Sequence, residues 1–180
     1  MLAIITAPNP ILSQKAKTVS KVDKDILALI KQMGEALSLA TDPIGVGLAA
    51  PQVSKSLAIF IIKPTEKAKI QAFINPKVAK IEQQLGGTSK GKTKKLECCL
   101  SLKNIWGEVE RAKTVWLEYQ DETGKLHHKK FSGFIATIIQ HEVDHLNGIL
   151  FPKRVLEQKG ILYESKKNSK GEDIFEELTI

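Results

Sequence analysis

The sequence predicts an α+β fold. Strand-like runs follow one another between residues 57 and 131 with no helical segment among them, where alternating βαβ units would intersperse helices. Two segments, Asp23–Ala40 and Phe134–Leu146, repeat apolar residues at spacings of three and four. Thr114–Tyr119 and Leu126–Phe131 flank Asp121–Gly124, a turn of hairpin length with Gly at its end. At 180 residues the chain fits one domain, 1–180, and can bury a core without disulfide staples.

Residues 1–20 read as irregular, with Pro8 and Pro10 as breakers and Ile11 and Leu12 as anchors. The first helix carries Ile26, Ile30, Met33 and Leu37 on one stripe, with Ser20 and Asp23 as capping residues, and Thr41-Asp42-Pro43 ends it. A Gly-rich turn precedes an apolar strand, Leu57–Ile62; shorter strand pieces, Phe73–Ile74 and Val78–Ile81, lie around Asn75-Pro76. Gly86–Lys95 reads as a loop, and the hairpin follows. In the second helix Phe134, Ile138, His141 and His145 share one stripe, with Ile135, Ile139, Glu142 and Leu146 beside it. Thr137, Gln140, Asp144 and Asn147 form the polar side, so Asp144 is expected away from the buried face. From about Val155 a charged tail is expected, with a short helix near Ile174–Leu178.

Composition narrows the function classes. The chain is 42% hydrophobic and 26% charged, which excludes disordered, collagen-like and coiled-coil chains. Its longest apolar runs, such as Leu57–Ile62, fall far short of the ~18–20 residues of a membrane span, so no membrane partner is expected. Met1–Pro10 has neither a basic region nor an apolar core and is not expected to act as a targeting segment. The two cysteines, Cys98 and Cys99, are neighbours, which argues against a disulfide framework and for a reducing cytoplasm. Lys+Arg exceed Asp+Glu by 27 to 20, a net +7 that favours proximity to polyanions such as the ribosome. Lys90, Lys92, Lys94 and Lys95 supply much of the excess with no interleaved aromatics. They read as a solvated loop, not as a sequence-specific nucleic-acid reader.

His141-Glu142-Val143-Asp144-His145 is the strongest chemical signal. Histidines at i and i+4 of a helix point the same way and can grip one metal ion, with the intervening Glu close enough to move a proton. Burying two imidazoles and a carboxylate without partners is unfavourable, which argues against a chance surface pattern. A hydrolytic site needs a third protein ligand. The position six residues beyond His145 is Phe151, which excludes one His-based continuation. His127 and His128 sit on a hairpin strand and read as exposed. Glu164, Cys98 and Cys99 stay open. Adjacent cysteines lack the two-residue spacing of redox motifs. Gly45-Val46-Gly47-Leu48-Ala49-Ala50 superficially matches a dinucleotide fingerprint, but a helix precedes it and Pro51 follows it. Small residues there instead allow a backbone to approach a ligand closely, and Gln52 supplies an amide donor.

Gly45–Gln52, Glu97-Cys98-Cys99-Leu100-Ser101 and His141–His145, in this order and spacing, resemble the motifs of the peptide deformylase family. The likeness runs from about Pro8 to about Val155, and Asn75-Pro76, Gly133 and Gln140 also stand where that family tends to have them. It implies antiparallel sheets wrapped around the His-bearing helix, and Cys99 as the third metal ligand beside His141 and His145. It implies a divalent ion, Fe²⁺ as the native one with Zn²⁺, Ni²⁺ or Co²⁺ tolerated. The substrates implied are nascent formyl-Met polypeptides, from which formate is released.

Several residue roles follow from the resemblance. Glu142 would act as general base and acid. The Gln52 side chain and the Leu100 N–H would form an oxyanion hole. The edges at Val46, Gly47 and Cys98 would align the peptide as an added strand, with Phe134 and Ile138 walling the methionine pocket. Glu97 and Arg111 would pair behind the metal site. Three departures stand out: Cys98 replaces the usual Gly, Leu102-Lys103-Asn104 lacks the Pro that often follows, and the loop Gly86–Lys95 is longer than usual. A side chain at Cys98 would crowd the peptide-binding edge. Two alternatives remain: a deformylase-like metalloprotein with weak or altered activity, and a general zinc metallopeptidase with Glu164 as third ligand.

Overall fold

The computed structural model describes residues 2–82 and 96–179. Among the described residues nine strands form two antiparallel sheets. The first takes the order β1 (Gly47–Ala49), β2 (Ile59–Ile62), β3 (Gln71–Glu82), β6 (Thr114–Gln120), β7 (Leu126–Ser132); the second takes β4 (Leu96–Cys99), β5 (Leu102–Glu108), β8 (Leu162–Lys167), β9 (Asp173–Glu177). Helices α1 (Lys24–Leu39) and α2 (Phe134–Leu146) both pack on β1 and β2, and α3 (Phe151–Glu157) packs on β4 and β5.

Period-two alternation explains how one strand serves two helices. Ile59 and Ile61 of β2 join the cluster of Ile30, Met33 and Leu37 from α1, whereas Phe60 and Ile62 join Ala136, Ile138 and Ile139 from α2. Each face of β2 is covered, so all four residues are apolar and buried. The ring of Phe60 stacks on Phe73 at 4.6 Å, which ties β2 to β3 under α2. Asp23 caps α1 by accepting from the Asp25 and Ile26 N–H groups.

The strand pieces read around Asn75-Pro76 are one strand, β3, interrupted by shifts in its register to β6. Pro76 cannot donate to a ladder, and Asn75 adopts φ 52°, so the irregularity absorbs both. Asn75 is fixed by reciprocal bonds to the backbone of Val19, 2.8 Å each, which pins the irregular N-terminal segment to the sheet.

The charged segment beyond Val155 departs from its reading as a tail. Val155 is buried in α3, and the chain then forms the β8–β9 hairpin on the edge of β5. The short helix expected near Ile174–Leu178 is strand β9, paired with β8: Phe175 reaches across β8 to pack edge-on against Trp106 of β5 with ring centroids 5.6 Å apart, and this pairing and packing outweigh weak helical spacing in so short a segment. The expected basic loop, Gly86–Lys95, lies outside the described residues. Among the described residues no helix is long and apolar enough to cross a membrane.

Candidate functional site

The segment after α1 turns sharply inward. Gly47–Ala49 adds β1 to the edge of β2, and Ala50–Val53 make a single 3-10 turn with Pro51 in its first positions. Gln52, buried in that turn, has its amide fixed at both ends. Its Oε1 accepts from the Ala49 N–H at 2.9 Å, and its Nε2 donates to Ser101 Oγ at 3.1 Å and faces Cys99 Sγ at 3.6 Å. Residues before Pro8 staple this arrangement: the Ile5 N–H donates to the Gln52 carbonyl and the Ala7 N–H to the Ser101 carbonyl.

Cys99 ends β4, where the register to β5 jumps from Cys98–Trp106 to Cys99–Leu102. Irregular pairing of this kind re-aims neighbouring side chains. Cys99 turns into the interior. Cys98 lines a groove of about 320 Å³ with Asp42, Pro43, Leu102, Trp106 and Lys166. Cys98 has no positive φ, so its side chain is accommodated without backbone strain. Burial pushes its thiol up to about 12, which keeps it a neutral small side chain. Leu100 lies in the turn between β4 and β5, and the Ser101 N–H points at Cys99 Sγ at 3.4 Å.

Helix α2 brings His141, Glu142 and His145 to this turn. Donor atoms of Cys99, His141 and His145 all lie within 4.8 Å of one another, with His145 Nε2 3.2 Å from the sulfur. His141 Nδ1 lies 2.6 Å from Glu97 Oε1. A carboxylate can only accept, so the Nδ1 N–H donates to it and Nε2 is the atom left to face the cluster. Two neutral nitrogens and one sulfur are a donor set suited to a borderline divalent cation. Two buried atoms have no hydrogen-bond partner among the described residues, His145 Nδ1 and Glu142 Oε2. Unpartnered polar atoms are costly in a folded interior and collect where a ligand completes the site.

The electrostatics agree with this fit. Burial opposes a charged His141, but Cys99 and Glu97 outweigh it and raise its pKa well above the ordinary value. Burial, reinforced by the His141 charge, drives His145 the other way. Surroundings that hold positive charge on one of two touching imidazoles also favour a cation between them. Burial alone would raise the Glu97 carboxyl, yet the His141 and Arg111 donors together hold it at about 2. Burial pushes Glu142 up to about 7, with the His141 charge opposing. Gly47 explains how Glu142 fits beside β1: a Cβ there would overlap Glu142 Oε1 and lie 2.8 Å from Ile138 Cγ2.

The other expected residues fall as follows. Val46 and Ile138 pack in the apolar cluster that supports α2, and Phe134 stands 53% exposed at the start of that helix. Arg111 grips Glu97 with two bonds, Nε to Oε2 at 3.0 Å and Nη2 to Oε1 at 2.7 Å. His127 pairs with Asp121 and His128 is exposed on β7, away from the cluster. Glu164 lies on β8 and pairs with Lys166 at 3.2 Å; it is not in the cluster, which removes the support for the metallopeptidase alternative.

Asp144 requires a correction. It was expected on the polar side of α2, but it is only 6% exposed and bonded to Arg111 and Arg154. Helical periodicity assigned it to the surface; the two arginines that allow its burial lie outside the helix, one in the segment before β6 and one on α3. Ser101 was quoted within a motif but given no role, and its contacts with Gln52 and Cys99 appear only once the turn is folded.

A cysteine-bearing strand edge set against a His-Glu-x-x-His helix is the layout of a metal-dependent hydrolase. A family model described as polypeptide deformylase matches residues 1–160. The peptide deformylase of Borreliella burgdorferi is 35% identical over 150 residues, covering 83% of this chain and 85% of that one. That of Chlorobium luteolum is 38% identical over 160 residues, covering 86% and 78%. Among solved structures, a Synechococcus elongatus peptide deformylase in complex with actinonin superposes with TM-score 0.75 at 34% identity, covering 85% of this chain and 78% of that one. The Thermotoga maritima peptide deformylase gives 0.73 at 34% identity, covering 86% and 97%. The chain belongs to the peptide deformylase family. Its activity is the metal-dependent removal of the N-formyl group from nascent formyl-Met polypeptides.

Proposed function

We propose that Cys99, His141 and His145 hold the divalent metal and that Glu142 moves the proton. The observation that carries this reading is the convergence of the three donor groups within 4.8 Å, with the unpartnered Glu142 Oε2 buried on the same helix. A metal bound there supplies Lewis acidity to the formyl carbonyl and makes water more acidic. Glu142 accepts the proton of the attacking water on its carboxylate and returns it to the departing amine, a role worth ~10²–10⁴-fold. Gln52 Nε2, fixed by the Ala49 bond, donates to the carbonyl oxygen as it gains charge, and the Leu100 N–H donates beside it.

Strands β1 and β4 are end strands of the two sheets, and both are short. End strands offer unpaired backbone groups, so Val46, Gly47 and Cys98 are proposed to bind the substrate backbone as an added strand. Ile138 floors the methionine pocket, with Phe134 at its outer rim. We assign residues 1–180 to a single catalytic domain, since α2 and the end of β4 supply the proposed metal ligands jointly. Fe²⁺ is proposed as the native ion, the cytoplasm as the location and the neighbourhood of the ribosome as the workplace. The +7 charge supports proximity to a polyanion.

The test is formate release from formyl-Met-Ala-Ser by anaerobically purified protein, with metal analysis, beside Glu142→Gln. Wild-type turnover with one metal per chain, and a variant that keeps its metal but loses at least ~10²-fold in kcat, is the expected result. An unchanged kcat in the variant overturns the assignment of Glu142.

A further inference from the structure

Asp144 sits on α2 one turn after His141 and has no part in the proposed chemistry, yet it is buried between two guanidiniums. Its Oδ2 accepts from Arg111 Nη1 at 2.6 Å and Arg154 Nε at 3.1 Å, and its Oδ1 accepts from Arg154 Nη2 at 2.7 Å. Arg111 turns its other donors to Glu97, and Glu97 meets His141 Nδ1. These contacts close a ring: His141, Glu97, Arg111, Asp144 and back along α2. The ring crosses to β4 at Glu97, two residues before Cys99. It therefore joins the strand that carries Cys99 to the helix that carries both histidines.

Arg154, on α3, stands outside the ring and completes its charge. With the proposed metal ion in place of a second proton on His141, the ring's side chains hold two carboxylates and one guanidinium. The Glu97, Arg111 and Asp144 side chains are 11%, 8% and 9% exposed, whereas Arg154 is 32% exposed and also meets Glu157. Without Arg154, one buried guanidinium must serve two buried carboxylates. A carboxylate that loses its bidentate partner in the interior draws on whatever cation remains. The cation that remains is Arg111, and each donor that shifts toward Asp144 leaves Glu97, which fixes the His141 ring.

We infer that Asp144 and Arg154 are positioning residues for the metal site: they keep Arg111 on Glu97, and so set how firmly His141 and Cys99 retain the ion. The inference rests on the proposed ligand set. A different role for the same contacts would be mechanical, pinning α3 to α2, and it would lower stability without touching metal retention.

The experiment compares wild type, Arg154→Met, Arg154→Lys and Asp144→Asn. Three quantities are read: the rate of Zn²⁺ transfer from each holoenzyme to excess chelator, the visible spectrum of each Co²⁺ form, and the urea midpoint of each metal-free protein. Partners behind a metal ligand typically change affinity by ~10–100-fold. Arg154→Met is expected to release Zn²⁺ ~10-fold faster or more with altered Co²⁺ ligand-field bands. Asp144→Asn should be faster still. Arg154→Lys, which keeps the charge but not the bidentate fork, should fall between wild type and Arg154→Met. If Asp144→Asn does not fold, the two variants at the partly exposed Arg154 decide. Release within twofold of wild type in both Arg154 variants overturns the inference, whatever happens to the urea midpoint. A wild type that takes up Co²⁺ without thiolate-to-metal absorption overturns the ligand set itself, and it does so before any variant is compared.

Discussion

Gly47 offers a way to move the Glu142 carboxylate without altering it. The Gly47→Ala substitution adds one methyl group on β1, in an extended strand where alanine meets no backbone strain. That methyl would overlap Glu142 Oε1 and lie 2.9 Å from Glu142 Cδ and 2.8 Å from Ile138 Cγ2, against an ordinary contact near ~3.5–4.0 Å. Relief therefore requires a displacement of about an ångström. β1 is locked by its pairing with β2 beneath buried apolar neighbours, so the Glu142 side chain is the part that yields. A misplacement of ~1 Å costs ~10²-fold in rate, or about 2.7 kcal/mol of barrier, within the range that a general base contributes. Overpacking should lower stability by ~1–3 kcal/mol. The assay is steady-state formate release, with metal content and urea midpoint measured beside it. The expected result is retained metal and a kcat loss of ~10²-fold. The mechanism is isolated by repeating Gly47→Ala in the Glu142→Gln background, where the displaced base is already disabled and the methyl should add less than ~3-fold. Equal losses in both backgrounds would falsify the reasoning, since the methyl would then be acting on substrate docking at β1. A rise in KM with unchanged kcat would point instead to displacement of Ile138.

Three further predictions rest on neighbouring groups. Cys99→Ser should weaken metal binding strongly while Cys98→Ser leaves metal content intact; exchanged behaviour in the metal analysis would show that Cys98 is the ligand. Glu97→Gln removes the charge that faces both His141 and Arg111, and should reduce Co²⁺ affinity ~10–100-fold in a competition titration; unchanged affinity would rule out a role in holding the ligand. Cys98→Gly clears the thiol from the groove beside Leu102 and Trp106, so kcat/KM should rise more for formyl-Met peptides with a bulky second residue than for formyl-Met-Ala peptides. Equal changes for both would show that the side chain does not meet the substrate.

What the sequence revealed, and what it withheld, follows from the range of each interaction. Helix α2 was legible because His141, Glu142 and His145 lie within one helical repeat, where spacing alone determines the face. The α1 stripe and the β6–β7 hairpin were legible for the same reason. The four-stranded sheet was not, apart from its motif residues. β4 and β5 are joined at a two-residue turn with irregular register, and the charged β8 and β9 gain strand character only when β8 pairs with β5, β9 pairs with β8 and Phe175 packs on Trp106. Local propensity says little about segments whose partners lie some sixty residues away.

Asp144 shows the same limit within the best-read element. Helical periodicity ranks positions by the hydrophobicity of their neighbours, and an aspartate among Thr137, Gln140 and Asn147 scores as surface. Its burial depends on Arg111 and Arg154, which arrive from a loop and from another helix. A buried carboxylate is tolerable only when such partners are present together. The ring therefore forms only when β4, the segment at Arg111 and α2 have docked, and α3 then completes its charge through Arg154. The two histidines of the proposed ligand set were readable as a motif, and Cys99 through the family resemblance, whereas the geometry that brings the three together is a property of the assembled fold. Variation at Arg154 can alter metal retention while every residue of the His-Glu-x-x-His motif and both cysteines stay unchanged.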